Sequence, residues 1–150
     1  MMAAAESAGC SLKLSGGYVD AKTQNELYQA EVKNLMKTKK LSQVLAESKA
    51  QYTVGRGGSN ENQTGLAVTF SAAGQKSGES FDSTSQYRWL IQNCVDYGFI
   101  LRFPENKTSV TGMDFNPAHF RYVGNENALK MREYSMCLEE YVPYLEQQTG

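Results

Sequence analysis

The stretch that decides the fold is YGFILRFPENKTSVTGMDFNPAHFRYVG, residues 97–124 of a 150-residue chain. Residues 99–103 are aromatic and aliphatic and stop at Pro104, a pattern typical of a buried strand. After a polar turn, residues 120–123 form a second short segment that ends at a glycine. Just before that segment lies His119, the only histidine of the protein. The stretch therefore predicts two strands, with a single imidazole at the start of the second.

Length and composition limit the classes of protein to which the chain can belong. A chain of 150 residues with 41% apolar residues is large enough to bury a core. The net charge of -1 argues against a nucleic-acid partner, which requires a basic surface. No apolar run in the sequence approaches the roughly 18 residues that a membrane-spanning helix needs. We expect one domain over residues 11–150 and a flexible leader over residues 1–10, in which no export signal is visible.

The spacing of apolar residues predicts the remaining helices and strands. Helical spacing covers residues 22–37, 41–50, 84–97 and 125–136, and a last helical segment begins at Cys137 and is interrupted near Pro143. Alternation of apolar and polar residues predicts strands at 11–14 and 66–70. Asp82 or Ser83 is expected to cap the helix at 84–97.

Three cysteines, Cys10, Cys94 and Cys137, cannot all pair with one another, and their spacing matches no metal motif. Because Cys94 falls within a helical pattern, it is expected to be a small core residue. The cysteines therefore suggest neither a disulfide framework nor a metal site.

Two motifs resemble those of one known family. Residues 116–124 are NPAHFRYVG, where the VanY-type D-alanyl-D-alanine carboxypeptidases carry Glu-Pro-Trp-His-x-Arg-Tyr-Val-Gly. Residues 60–69, NENQTGLAVT, follow the spacing of the family's Ser-Glu-His-Gln-x-Gly-x-Ala-x-Asp. Members of this family are zinc enzymes that trim the stem peptides of bacterial cell walls. The resemblance implies an α+β fold, in which helices surround a small antiparallel sheet that floors a cleft, as also found in Hedgehog signalling domains.

The resemblance implies three zinc-ligand positions, and two of them carry other residues here. His119 is retained, whereas Asn62 stands at the position of a histidine and Thr69 at that of an aspartate. Neither an amide oxygen nor a protonated hydroxyl is a usual zinc ligand. The family's general base, a glutamate, is replaced by Asn116, which cannot accept a proton from water at neutral pH. We therefore expect no bound cofactor.

The resemblance also implies positions that contact the substrate. An arginine that is understood to pair with a substrate carboxylate in the family falls on Val19, and valine cannot form that ion pair. No arginine lies between residues 1 and 51, so a shift of the alignment cannot restore it. Gln24, Gln63 and Arg121 are polar groups that remain available for binding.

A rebuilt metal site would need a carboxylate from elsewhere in the chain. Asp114 lies two positions before Asn116, so an extended segment would place both side chains on one face. Asp114, His119 and a third group are one alternative site for zinc. Glu61 is the neighbour of Asn62 but would point the opposite way in an extended strand. The other interpretation of His119 is a polar residue whose hydrogen bonds are satisfied within the fold.

Three functions remain open. The first hypothesis is a catalytically degenerate homologue that binds a peptidoglycan stem peptide or a protein partner. An active zinc carboxypeptidase with relocated ligands is the alternative, and a structural domain of a wall- or phage-associated assembly is the third. The resemblance implies a place outside the cytoplasm of a bacterium, or in its cell wall, for all three.

Overall fold

A single four-stranded antiparallel sheet forms the centre of the computed structural model, which describes residues 1–149. The strands lie in the order β1-β2-β4-β3. Their bounds are Leu12–Gly16 for β1, Ala67–Ala72 for β2, Phe99–Phe103 for β3 and Asn116–Tyr122 for β4. Helices surround the sheet, so the predicted α+β class is confirmed.

Seven α-helices lie within the described residues. They are α1 (Met2–Ser7), α2 (Ala21–Thr38), α3 (Gln43–Thr53), α4 (Ser85–Asn93), α5 (Thr108–Thr111), α6 (Asn125–Glu133) and α7 (Leu138–Thr149). The long helix α2 begins where the Asp20 carboxylate accepts a hydrogen bond from the backbone N–H of Thr23. Within residues 1–149, no helix is long and apolar enough to cross a membrane.

Two separate apolar cores hold the molecule together. The larger core lies on the sheet and includes Phe120 and Leu90, both fully buried. Burial of each such side chain stabilises the fold by about 1.5–3 kcal/mol. A smaller core joins α2 to α3 through Tyr28, Val32 and Ala46. The sheet and the α2–α3 pair are therefore two packed units, and a cavity lies between them.

The side chain of Gln24 links the α2–α3 pair to the loop that follows it. Only 1% of Gln24 is exposed, and its amide donates hydrogen bonds to the carbonyls of Val54 and Gly55 at 2.9 and 3.1 Å. A buried amide without such partners would cost about 1–3 kcal/mol, so these bonds fix the loop position. This loop leads directly into the residues that line the cavity.

Three local predictions differ from the structure. The leader expected to be flexible contains α1, whose Ala5 is fully buried in the larger core. Thr84, rather than Asp82 or Ser83, caps α4 through a bond from the N–H of Tyr87. α7 continues through Pro143 without interruption, because Tyr141 and Leu145 on either side of it pack on the larger core. That packing outweighs the hydrogen bond that proline removes.

The cysteine prediction is confirmed where it was specific. Cys94 lies in the larger core with 3% of its surface exposed. All three cysteines are free thiols. Burial raises the pKa of the Cys94 thiol to about 11, so it stays protonated at neutral pH.

Candidate functional site

A cavity of about 440 Å³ lies between the sheet and the α2–α3 pair. It is lined by all four residues at the ligand and base positions: Asn62, Thr69, Asn116 and His119. The strand register explains part of this, because Thr69 of β2 lies directly opposite His119 of β4. Directly opposed residues of paired strands point to the same face of a sheet. The sheet therefore holds these two side chains side by side.

His119 is held in one orientation by two contacts. Only 6% of it is exposed, and its ring stacks on that of Phe103 with the centroids 5.2 Å apart. Its Nε2 atom lies 3.3 Å from the Oε2 atom of Glu61. The Nε2 nitrogen of His119 is thus already engaged with a carboxylate.

Glu61 is the centre of a group of buried charges. Its Oε1 atom accepts hydrogen bonds from Arg121 at 2.7 Å and from Arg102 at 2.8 Å. Burial raises the pKa of Glu61, but the hydrogen bond from His119 and the charges of Arg102 and Arg121 outweigh burial and lower the pKa to about 2. Glu61 is therefore ionised at neutral pH, and both of its oxygens are occupied.

Arg102 has a second acidic partner on α7. Its Nη1 and Nη2 atoms donate to the two oxygens of Glu139 at 3.0 and 2.6 Å, a two-pronged geometry. Its guanidinium also lies over the ring of Phe103, 4.8 Å from the centroid. Burial lowers the pKa of Arg102, but Glu139 and Glu61 outweigh it and raise the pKa above its ordinary value. We refer to Glu61, Arg102, Arg121 and Glu139 as the charged cluster.

Several uncharged polar side chains also line the cavity. We refer to Gln24, Asn60, Asn62, Thr69 and Asn116 as the neutral group. Within it, the Asn62 amide donates to the Gln24 amide oxygen at 3.3 Å, and the backbone N–H of Asn62 donates to the Asn60 side chain at 3.0 Å. The Asn116 amide oxygen accepts from the backbone N–H of Ala118 at 3.1 Å. None of these side chains ionises near neutral pH.

Other predicted substrate-contacting residues lie at or behind the cavity wall. Arg121 is engaged with Glu61, and Gln63 accepts from the N–H groups of Gly58 and Asn60, which closes the turn before β2. Val19 contacts the site through its backbone, whose N–H donates to the carbonyl of Asn62 at 3.0 Å. Gln24 alone of this set lines the cavity with its side chain.

Two geometric expectations about carboxylates are wrong. Asp114 precedes β4, so it is not part of the strand that contains Asn116. Its carboxylate lies 3.5 Å from Lys49 of α3, and it does not line the cavity. Glu61 does not point away from Asn62, because Glu61–Thr64 forms a 3₁₀ turn rather than a strand. In that turn both side chains reach the cavity.

Sequence reasoning missed three members of the charged cluster as site residues. An extended strand would turn the Glu61 side chain away from Asn62, and Glu139 carries no local signal of its own. Arg102-Phe103-Pro104 resembles Arg-Tyr-Pro, a further motif of the same family, and this resemblance is the signal that could have found Arg102. Glu139 could be found only from the three-dimensional fold, since it lies 37 positions from its partner.

The donors in the cavity do not fit a zinc ion. Catalytic zinc takes about three protein ligands, mostly imidazole, thiolate or carboxylate. No group of three or more His, Cys, Asp or Glu side chains that could hold a metal occurs among residues 1–149. His119 has one carboxylate neighbour, and that carboxylate is bound by two arginines. Asn62 and Thr69 supply only neutral oxygens.

Comparison with known proteins gives a consistent result. Residues 1–125 match the sequence model of the VanY family, described as D-alanyl-D-alanine carboxypeptidase. A D-alanyl-D-alanine carboxypeptidase of Enterococcus faecalis is 37% identical over 129 residues, which cover 86% of this chain and 46% of the relative. A bifunctional D-Ala-D-Ala dipeptidase and carboxypeptidase, VanXYC of Enterococcus gallinarum, is 32% identical over 91% of this chain and 68% of its own length.

Solved structures show the same relationship. VanYB in complex with D-alanine-D-alanine superposes with a TM-score of 0.86 at 35% identity, over 95% of this chain and 76% of that one. A VanY D,D-pentapeptidase in complex with Zn(II) gives a TM-score of 0.85 at 35% identity, over 94% and 76%. The chain spans about half the length of the first of the curated relatives that it matches.

Proposed function

The chain belongs to the VanY family of D-alanyl-D-alanine carboxypeptidases, and we propose that it is a member that binds peptidoglycan stem peptides without hydrolysing them. The support for binding is a cavity of about 440 Å³, lined by polar side chains, at the place the family motifs specify. A structural relative was solved with D-alanine-D-alanine bound, which makes a short peptide the natural ligand to test. The proposal implies that the protein acts outside the cytoplasm, where such peptides occur.

The observation that carries the proposal is the chemical identity of the residues around His119. Water activation by zinc requires a metal site with an open position and a base beside it. Of the three ligand positions that the family resemblance assigns, two carry an amide and a hydroxyl here, and Asn116 stands where the resemblance places the base. Loss of the base alone would slow proton transfer by a factor of about a hundred to ten thousand. Peptide binding needs hydrogen-bonding groups and shape, both of which the cavity has.

Calorimetric titration with a synthetic stem pentapeptide tests this proposal. We expect saturable binding at one site, with no free D-alanine in the sample afterwards. Thr69→Val, nearly equal in volume to the wild-type residue, removes one hydroxyl from the cavity floor and is expected to weaken binding about tenfold or less. Ser71→Ala, two positions further along β2 and outside the cavity, is the matched control and is expected to bind like wild type. A flat trace would favour a purely structural domain.

An active zinc carboxypeptidase is the second candidate, and one observation favours it. The relatives that are 32% and 37% identical to this chain are named as carboxypeptidases. This candidate would require zinc to be held by His119 with ligands that move into place when the metal binds. Release of D-alanine that depends on added zinc, and stops on chelation, would establish it over the binding function.

A further inference from the structure

We propose that the cavity binds peptides that present an amide in place of a free C-terminal carboxylate more tightly than peptides that end in that carboxylate. An internal segment of a longer peptide is a ligand of the first kind. This inference rests on the proposed peptide-binding function and adds the chemical class of the ligand. It follows from the charges in the cavity and from the partners that those charges already have.

The cavity has few cationic side chains that could pair with the carboxylate of a ligand. Among the described residues that line the cavity, one arginine and no lysine is present, against two glutamates. That arginine is Arg102, and its Nε, Nη1 and Nη2 atoms all donate to Glu61 or Glu139. A carboxylate that entered the cavity would have to compete with two ionic partners that are already in place. Competition of this kind removes most of the gain from an ion pair.

Arg121 is the other cation of the charged cluster. It does not line the cavity, and its Nη1 atom donates to the Oε1 atom of Glu61 at 2.7 Å, the same oxygen that accepts from Arg102. With Arg121 included, the charged cluster has two arginines and two glutamates, so its formal charge is zero. The cluster therefore offers no net attraction for an anion, because the single arginine that lines the cavity is accompanied by two glutamates that also line it.

Val19 stands at the position that the family resemblance assigns to carboxylate recognition. Val19 has an aliphatic side chain, and only its backbone N–H contacts the site, through the carbonyl of Asn62. The first arginine of the sequence is Arg56, which lies on α3's side of the molecule, bound to Tyr28 and Glu47. No residue on the described part of the chain replaces the missing cation at the cavity.

The neutral group has hydrogen-bonding atoms that are available to a ligand. Within residues 1–149, the Nδ2 atom of Asn116, the Oδ1 atom of Asn62 and the Oγ1 atom of Thr69 have no protein hydrogen-bond partner. They are one donor, one acceptor and one group that is both. A peptide amide presents a matching N–H donor and C=O acceptor, whereas a carboxylate only accepts. The free groups of the cavity thus complement an amide and leave a carboxylate partly unsatisfied.

A pair of ligands that differ only at the C-terminus tests the inference. A stem-peptide fragment ending in D-Ala-D-Ala is titrated at pH 7 as the free acid and as its C-terminal carboxamide. We expect the carboxamide to bind at least about tenfold more tightly, because the acid brings an uncompensated charge. Equal or tighter binding of the acid would overturn the inference and leave the peptide-binding function standing. If neither ligand binds, both the inference and the proposed function are wrong.

Two matched variants test the physical cause. Glu139→Gln releases the Nη atoms of Arg102 from their ionic partner, so binding of the acid should improve and the preference should fall about tenfold. Glu140→Gln makes the same change one residue later, at a carboxylate that pairs with Lys107 outside the cavity, and should leave the preference unchanged. Circular dichroism of both variants checks that each is folded. An equal preference in Glu139→Gln and wild type would overturn the inference, since the occupied arginine is its stated cause.

Discussion

The charged cluster and the neutral group lie at one cavity together with His119, and they differ in the chemistry of their side chains. The charged cluster is joined through Glu61 and Arg102: Glu61 pairs with Arg102 at 2.8 Å and with Arg121 at 2.7 Å, and these three side chains are 10–17% exposed. Arg102 also pairs with Glu139 at 2.6 Å. The neutral group lines the same cavity with amides and a hydroxyl, which are not usual zinc ligands and cannot accept a proton at neutral pH. The cluster contacts His119 through Glu61, whereas the neutral group includes Asn62, Thr69 and Asn116, the positions that the family resemblance assigns to zinc ligands and the base. The difference teaches that, under the function proposed here, the framework of a site is retained independently of its chemistry.

The largest expected effect comes from converting the neutral group back into ligands. The double variant Asn62→His, Thr69→Asp places an imidazole and a carboxylate beside His119, in a frame where Thr69 is already opposite His119. We expect zinc affinity to rise at least about a thousandfold over wild type, equivalent to about 4 kcal/mol. Competitive titration against a chromogenic chelator measures it. The control adds His119→Ala to the double variant and should lose the gain; a double variant that binds no better than wild type would show that the neutral group does not occupy ligand positions.

Breaking the charged cluster at its centre is expected to give the next largest effect. Glu61→Ala leaves Arg121 without its carboxylate and removes one of the two partners of Arg102. Loss of one member of a buried ion pair costs about 3–5 kcal/mol of unfolding free energy. Urea denaturation measures it against Glu126→Ala, which breaks the exposed pair with Lys130 and should cost far less, because solvent screens exposed ion pairs. Similar losses in the two variants would contradict the structural role given to the cluster.

The pH dependence of stability should show the same carboxylate. The folded-state pKa of Glu61 is about 2, below its ordinary value of 4.5, so the unfolded chain binds more protons between these values. The stabilisation is fully present above pH 4.5 and is lost as the pH falls to 2, by about 2–3 kcal/mol. The difference in unfolding free energy between wild type and Glu61→Gln should therefore decrease as the pH falls from 4.5 to 2. A gap that is constant with pH would mean that Glu61 titrates normally in the folded protein.

The smallest effect is expected at the neutral group itself. Gln24→Leu removes the bonds to the carbonyls of Val54 and Gly55 and the acceptor for Asn62. We expect a loss of about 1–3 kcal/mol in thermal or urea unfolding, because the Gly55 carbonyl loses its donor and the Val54 carbonyl keeps only the Asn60 amide. Gln29→Leu, on an exposed position of the same helix, is the control and should change stability by about 0.5 kcal/mol or less. Weaker peptide binding by Gln24→Leu alone would connect the loop that it holds to the ligand.

Patterns of local spacing were enough to predict much of this fold. The alternation in residues 66–70 and the buried run at 99–103 correspond to β2 and β3, and Gly98 takes the left-handed conformation that ends the segment before β3. The family motifs added the sheet and its cleft, which no local pattern specifies. The strand predicted at 120–123 extends back to Asn116, because pairing with β2 and β3 holds residues that have little strand propensity.

The arrangement of charges could not be predicted in the same way. Glu61 lies next to Asn62 in sequence, and only the 3₁₀ turn at Glu61–Thr64 brings both into one cavity. The neighbour of Arg102 is on α7, and the partner of Asp114 is on α3, so both pairings depend on how distant segments pack. The motifs predicted which residue types stand at the ligand positions. The fold determined which carboxylates were available near them. Among residues 1–149, the one carboxylate that pairs with His119 is also bound by two arginines.

The account depends on the claim that this cavity does not hold zinc, and equilibrium dialysis of the wild-type protein against micromolar zinc tests it most directly. We predict less than about 0.1 zinc per chain after correction for a His119→Ala control, in line with a single available imidazole. One zinc per chain that is lost in His119→Ala, together with release of D-alanine from a stem pentapeptide, would contradict the account and make the protein a working carboxypeptidase.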